Sequence, residues 1–334
     1  MAASSSLSSV RITTLGGGQD IGRSCVAVTL GGRMVLFDCG MHMGYTDRRR
    51  FPDFAQLGGD DLTSLIDCVF ITHYHLDHCG ALPHLTETLG YRGPIYMTAP
   101  TMAIARLLLK DYAQIIAKES TIGGSSSAHC YPASAVDTCL QRVTIVALGE
   151  TIDVGEGLAL STYYAGHVLG AVICCAECRG QRVVYTGDVN TTPDRHLGAA
   201  RLCQLNPHVL ITECTYADAI RESKRCKEAE LLHLVHKTVA CGGRVLMPCA
   251  TAGKPQELLL LLTTYWERMG LTVRALLLST LSARTRTPHS ARSQRLLLLL
   301  LLLHMRMRGD ESYHLSIHRH NNTWGYTSYQ CLDF

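Results

Sequence analysis

No apolar run in this chain is long enough to cross a membrane. The longest, eight leucines from Leu296 to Leu303, falls well short of the roughly twenty residues a helical span needs. The first residues, Met1-Ala-Ala-Ser-Ser-Ser6, lack the charged start and apolar stretch of a secretory leader. The 15 cysteines follow no framework spacing, so they predict free thiols in a reducing compartment and not a disulfide scaffold. Cys174-Cys175 and Cys178 superficially resemble a zinc knuckle, but they sit where an apolar strand is expected, which makes them buried thiols. Charge is sparse as well. With 18% charged residues and a net charge of +3 the chain is only mildly basic, a balance that neither demands nor excludes a nucleic-acid partner. Arg48-Arg-Arg50 reads as a solvated loop, with a nucleic-acid contact as its functional alternative. No internal repeat is evident, and 334 residues suffice for one large domain or two ordinary ones.

What is present is a concentration of metal-ligand side chains. The run His73-Tyr-His75-Leu-Asp77-His78 packs four of them into six residues, directly after the apolar stretch Cys68-Val-Phe-Ile-Thr72. Two histidines separated by one residue in an extended segment project to the same side and can grip one ion. Asp77 and His78 then turn toward a second position. Imidazole and carboxylate ligands suit zinc, while iron and manganese stay open.

Two ions need more ligands than one hexapeptide supplies, and the chain places further acids where apolar strands run out. Arg33 to Phe37 ends in Asp38-Cys-Gly40, Gln181 to Thr186 in Gly187-Asp188, and Pro207 to Thr212 in Glu213. Ligand sites gather at such C-terminal strand edges in layered α/β folds. His167, in Tyr164-Ala-Gly166-His167-Val-Leu-Gly170, is flanked by glycines that let the backbone approach closely and aim the ring.

These residues resemble a known family. Asp38, His73-x-His75-x-Asp77-His78, His167, Asp188 and Glu213 are the motifs of metallo-β-lactamase-fold nucleases of the β-CASP group. Within it, Gly40-Met-His-Met-Gly44, Arg49-Arg-Phe-Pro-Asp-Phe54 and Thr192-Pro-Asp-Arg-His-Leu-Gly-Ala-Ala200 look like the Integrator branch, with the cleavage-and-polyadenylation branch the next fit. The likeness runs from about Val10 to Val273. It implies hydrolysis of RNA phosphodiesters by a Zn2+ pair. His73, His75 and His167 would hold one ion, and Asp77, His78 and Asp188 the other, with Asp188 shared. Asp38 would orient the cluster, and Glu213 would pair with a downstream histidine as general acid. A nuclear location is implied too, with a β-CASP paralogue and other subunits of an RNA-processing complex as partners.

The fold expected is α/β, a four-layer αββα metallo-β-lactamase sandwich over residues 10–206 with an incomplete β-CASP domain over 207–275. Residues 276–334 change composition and read as a divergent, low-complexity tail without fixed structure. The family's downstream histidines are not recognisable here, and His314, His318 and His320 lack a context that would make them substitutes. Activity in this chain is therefore expected to be impaired. A non-catalytic subunit of an RNA-processing complex and a small-molecule metallohydrolase are the alternative readings.

The remaining pattern places the motifs. Gly16 to Gly22 precedes an alternating strand and no helix, so it is a turn near the site's rim and not a dinucleotide loop. Thr101 is expected to cap a helix over 102–118, and Ser120 to Ser134 to form a surface loop. Lys227 to Ala240 and Pro255 to Met269 read as helices ending at Gly242 and Gly270.

Overall fold

The computed structural model describes residues 9–59, 61–123, 130–202, 205–220, 222–247 and 252–270, together with the backbone of three short strands further on. The chain divides into two compact units. One holds the residues up to Pro193 and Leu197–Cys214; the other holds Asp194–His196 and the residues from Thr215 onward.

The first unit is built on two sheets. β1 (Arg11–Gly16), β2 (Cys25–Leu30), β3 (Arg33–Phe37), β4 (Cys68–Phe70), β5 (Ile95–Thr98) and β6 (Val143–Val146) form one sheet in that order. β1 to β3 run antiparallel, and β3 to β6 are mutually parallel. The second sheet has the order β11-β10-β9-β8-β7, from β7 (Thr151–Gly155), β8 (Leu158–Tyr164), β9 (Val172–Cys178), β10 (Gln181–Tyr185) and β11 (Val209–Ile211). Its members alternate in direction except for the parallel pair β10 and β11.

Facing side chains make one core. Val28, Val35, Phe37 and Phe70 of the first sheet cluster with Leu160, Cys174, Ala176 and Val183 of the second. Phe37 stacks on Tyr185 at 4.9 Å between ring centroids. Strands this apolar, rich in Val, Ile and Cys, are what a doubly covered sheet requires. Cys174, Cys175 and Cys178 lie in β9, all buried. Burial pushes the Cys174 and Cys175 thiols up, so they are inert core residues as expected, and the described cysteines are all free.

Helices α1 (Leu62–Leu65), α2 (Leu76–Cys79), α3 (Ala99–Gly123) and α4 (Ala133–Leu140) all lie in connections of the first sheet. Among the described residues of this unit, none lies between β7 and β11. The α/β sandwich is present, with its helical layer on the first sheet. α3 begins earlier than expected. The Thr101 amide donates to Thr98 Oγ1, so Thr98 sits at the cap, while the Thr98 and Thr101 hydroxyls both donate to Gly170 O. The loop expected over Ser120 to Ser134 contains the end of α3 and the start of α4, because alanine-rich flanks favour helix where Ser and Gly alone suggest a loop. Residues 124–129 between them lie outside the described residues.

The second unit contains α5 (Lys224–Ala240) and α6 (Lys254–Met269), each within three residues of the expected start. Ser223 Oγ accepts the Cys226 amide to cap α5, and Gly270, at φ 60°, closes α6 in the left-handed conformation. Backbone strands β12 (Ala275–Leu278), β13 (His314–Ser316) and β14 (Tyr329–Leu332) pair as an antiparallel sheet in the order β12-β14-β13. β13 and β14 fall within residues 276–334, and the residues between them lie outside the described ones. His318 and His320 lie outside the described residues. No helix among the described residues is long and apolar enough to cross a membrane.

Candidate metal centre

Strand direction assembles the site. β3 and β4 are parallel, and β8, β10 and β11 point the same way within the second sheet, so the C-terminal ends within each sheet fall at one edge. Asp38 follows β3, Thr72 to His78 follow β4, His167 follows β8, Asp188 follows β10 and Glu213 follows β11. Where the sheets meet, the Val172 amide donates to Thr72 O at 3.1 Å.

Four atoms converge there. His73 Nε2 lies 3.0 Å from His75 Nδ1, which lies 3.3 Å from His167 Nε2. Asp188 Oδ2 is 3.3 Å from His167 Nε2 and 3.7 Å from His73 Nε2. Ligands bound tetrahedrally at 2.0–2.1 Å stand about 3.3 Å apart, so these four spacings suit residues gathered around one cation, and all four atoms lie within 4.8 Å of one another. The other Asp188 oxygen, Oδ1, is 3.2 Å from His78 Nε2, which is 3.7 Å from Asp77 Oδ2. One carboxylate therefore faces two groups of donors, one with each oxygen.

Protonation suits the first group. Burial, then the neighbouring imidazoles, holds His73 well below the usual histidine range. His75 is lowered to about 4, by burial first and His167 next. Both offer neutral lone pairs, as metal ligands must. His78 differs: burial pulls it down, but Asp38 and Asp188 more than offset this and hold it well above the ordinary value. The same contacts keep Asp188 below the usual carboxylate range despite a burial effect that raises it.

Asp38 is fully buried behind the ligands, at φ 58°, a conformation costly for a residue with a side chain. Its carboxylate accepts the Thr72 amide (2.8 Å), the Thr72 hydroxyl (3.0 Å), His78 Nδ1 (2.7 Å) and the Tyr185 hydroxyl (3.0 Å). A carboxylate only accepts, so His78 carries its proton on Nδ1 and turns Nε2 toward Asp188. Thr72 Oγ1 also lies 3.0 Å from His73 Nδ1. With the hydroxyl proton given to Asp38, Oγ1 accepts from Nδ1 and leaves His73 Nε2 bare. Asp38 thus sets two histidine tautomers, one directly and one through Thr72. Thr72 and Tyr185 were not singled out from the sequence, because each is an ordinary strand-end residue until β3, β4 and β10 come alongside one another.

The backbone braces this arrangement. The Ser24 amide donates to Asp77 O, Cys39 to His78 O and Met41 to Leu76 O, each within 2.9 Å. Gly40 lies against the same turn, where a Cβ would stand 1.6 Å from Asp77 O. His167 is held at φ 51° between Gly166 and Gly170, both also at positive φ. Glu213 Oε1 accepts the Val189 amide at 3.2 Å, next to Asp188, and lies outside the four-atom group.

The rim also corrects one expectation. Asp47 caps a turn over Arg48–Arg50, and Arg50 is buried at 2% exposure, its guanidinium donating to Tyr45 O at 2.9 and 3.2 Å. This member of the run is a structural post, not a solvated residue. Arg49 stays exposed, paired with Asp47 and lying 4.6 Å from the Tyr45 ring centroid. The Gly16 to Gly22 turn borders a cleft of about 460 Å³ with His42, His75 and Asp77, as a rim segment should.

Comparison with known proteins agrees with this geometry. Residues 27–219 match the family model described as the metallo-β-lactamase superfamily domain. The chain is similar to Integrator complex subunit 11 of Gallus gallus, 51% identical over 263 residues that make up 78% of this chain and 43% of the relative. The Integrator complex subunit 11 homolog of Dictyostelium discoideum is also 51% identical over 263 residues, 78% of this chain and 35% of that one. Endoribonuclease ysh1 of Schizosaccharomyces pombe is 39% identical over 253 residues, 76% and 32% of the two chains. The chain spans less than half the length of these relatives. The matches bear out the resemblance to the Integrator and polyadenylation branches.

Proposed function

Since the chain belongs to the metallo-β-lactamase superfamily, we propose that it is a zinc-dependent RNA endonuclease of the Integrator or pre-mRNA 3′-end processing type, with activity impaired by the lack of recognisable downstream histidines. The observation that carries this reading is the division of Asp188, one oxygen toward His73 and His167 and the other toward His78. A carboxylate so placed suits two cations sharing one phosphodiester. His73, His75 and His167 would hold one ion, Asp77 and His78 the second, and Asp188 both. When bound, a zinc pair supplies a nucleophilic water at neutral pH and offsets charge on the phosphate oxygens.

The chain's own groups do the rest. Asp38 keeps the His73 lone pair pointed at the site and holds His78 through Nδ1–H, so that Nε2 is the nitrogen His78 would offer a cation on giving up its proton. Glu213, whose Oε1 accepts the Val189 amide next to Asp188, would serve with a histidine partner as the general acid for the leaving oxygen, a step worth about 10² to 10⁴ in rate. The names of the relatives, an Integrator subunit and an endoribonuclease, support RNA as substrate, a nuclear location and partners drawn from an RNA-processing complex.

The test joins elemental analysis of the purified chain with cleavage of a labelled single-stranded RNA. About two zincs per chain, with cleavage lost in Asp188→Asn and cut at least a hundred-fold in Glu213→Gln, is the expected result. Thioester hydrolysis without RNA cleavage would transfer the site to the small-molecule hydrolases.

A further inference from the structure

We infer that the cleft beside the metal-ligand group is a nucleobase subsite, taking the base attached to the phosphate held at the centre. This rests on the RNA-hydrolase reading above. The cleft has about 460 Å³ and is lined by Ile21, Met43, Leu76 and Leu108, with His42, His75 and Asp77. That is room for a nucleoside. A phosphate alone has no use for apolar walls, whereas every base has a flat face that does.

Its position defines the occupant. His75 belongs both to the cleft wall and to the four-atom group. A ligand filling the cleft is therefore within one nucleotide of a phosphate held by Asp188 and the histidines.

The platform is rigid. His42 Nδ1 accepts the Gly44 amide at 3.0 Å, which puts the ring proton on Nε2, 3.6 Å from Asp20 Oδ1. Tyr45 lies against the ring at 4.4 Å between centroids, and Arg49 lies over Tyr45. Gly22, at φ 109°, also comes so near that a Cβ there would lie 3.0 Å from His42 Cδ2. A wall held this firmly loses little entropy when a base packs against it. At the mouth Ile21 and Met43 stand 81% and 49% exposed, apolar surface that a base would remove from water. Aliphatic walls pack against the face of any base, so recognition here is indifferent to base identity.

The test compares adenosine monophosphate with ribose 5-phosphate, which keeps the sugar and phosphate and lacks the base, on the zinc-loaded chain by calorimetry. Burying about 60 Å² of apolar surface should tighten binding about ten-fold. In Ile21→Ala/Met43→Ala, two exposed truncations that leave the core intact, that advantage should shrink below about three-fold, with ribose 5-phosphate unaffected. Equal affinity of the two ligands for the original chain, or an advantage that survives in the variant, would overturn the subsite. RNA cleavage run in parallel separates the two readings. Cleavage without a base advantage removes the subsite alone, and a base advantage lost in the variant without cleavage supports the subsite while removing the nuclease.

Discussion

Asp38 shows how one buried carboxylate can govern a site without touching its ligand position. It gathers donors from the segment after β4, from α2 and from β10 and occupies a backbone conformation usually left to glycine. That local cost is tolerable only where several partners fix the side chain. Replacing it with Asn keeps the volume but puts an amide donor against groups that are themselves donors. Asp38→Asn should therefore loosen the His73 and His78 tautomers and weaken zinc about 10- to 100-fold, read by competition with a chromogenic chelator. An affinity within two-fold of the original would show that the histidines orient themselves. The acids and histidines of this site were legible in the sequence because their types are chemically specific and their spacing repeats at strand ends. Thr72 and Tyr185 were not, since a hydroxyl becomes a tautomer relay only through neighbours brought from 34 and 147 residues away.

Elements, unlike single residues, show where close approach dictates sequence. The segment after β3 runs against the turn that begins α2, exchanging backbone hydrogen bonds over Cys39 and Met41. Gly40 permits this, since any side chain there would meet the Asp77 and Ser24 backbones and not a flexible tip. Gly40→Ala must push the α2 turn aside, carrying Asp77 and His78 with it. Overpacking of this kind costs about 1–3 kcal/mol or more, so the denaturation midpoint should fall and zinc content with it. An unchanged midpoint with full zinc would mean that the brace is dispensable. Strand and helix positions were largely readable from apolar period and terminal signals, within a few residues at α5 and α6. The errors came where one signal was given too much weight. Thr101 looks like a cap, yet Thr98 precedes it at the helix start and takes that part. Arg50 looks solvated because its neighbours are charged, whereas Tyr45 O satisfies its guanidinium inside the fold.

Across the whole molecule, the division into units does not follow chain order. Asp194–His196, from a segment whose neighbours on both sides belong to the first unit, counts with α5 and α6. Charge holds it there: Arg195 makes paired hydrogen bonds to Glu228 at 2.6 Å, Lys224 reaches Asp194, and Glu257 accepts from both the backbone and the ring of His196. Glu257 is 8% exposed, and its burial alone would raise its pKa. The His196 and Arg195 contacts outweigh this and lower it to about 2. A carboxylate with a folded pKa below its ordinary 4.5 contributes stability that is complete above that value and lost as pH falls toward about 2. Glu257→Gln cannot ionise, so its deficit against the original chain should be widest near neutral pH and close across that acid window. Hydrogen exchange of the amides in 194–196 and the first turn of α6 reads the effect locally, with β8 to β10 as an internal reference. Exchange there should quicken at pH 6 in the variant, and the gap to the original chain should narrow below pH 4.5 and close only as pH falls to about 2. A gap that stays constant with pH would mean that shape, and not the Glu257 charge, holds the segment.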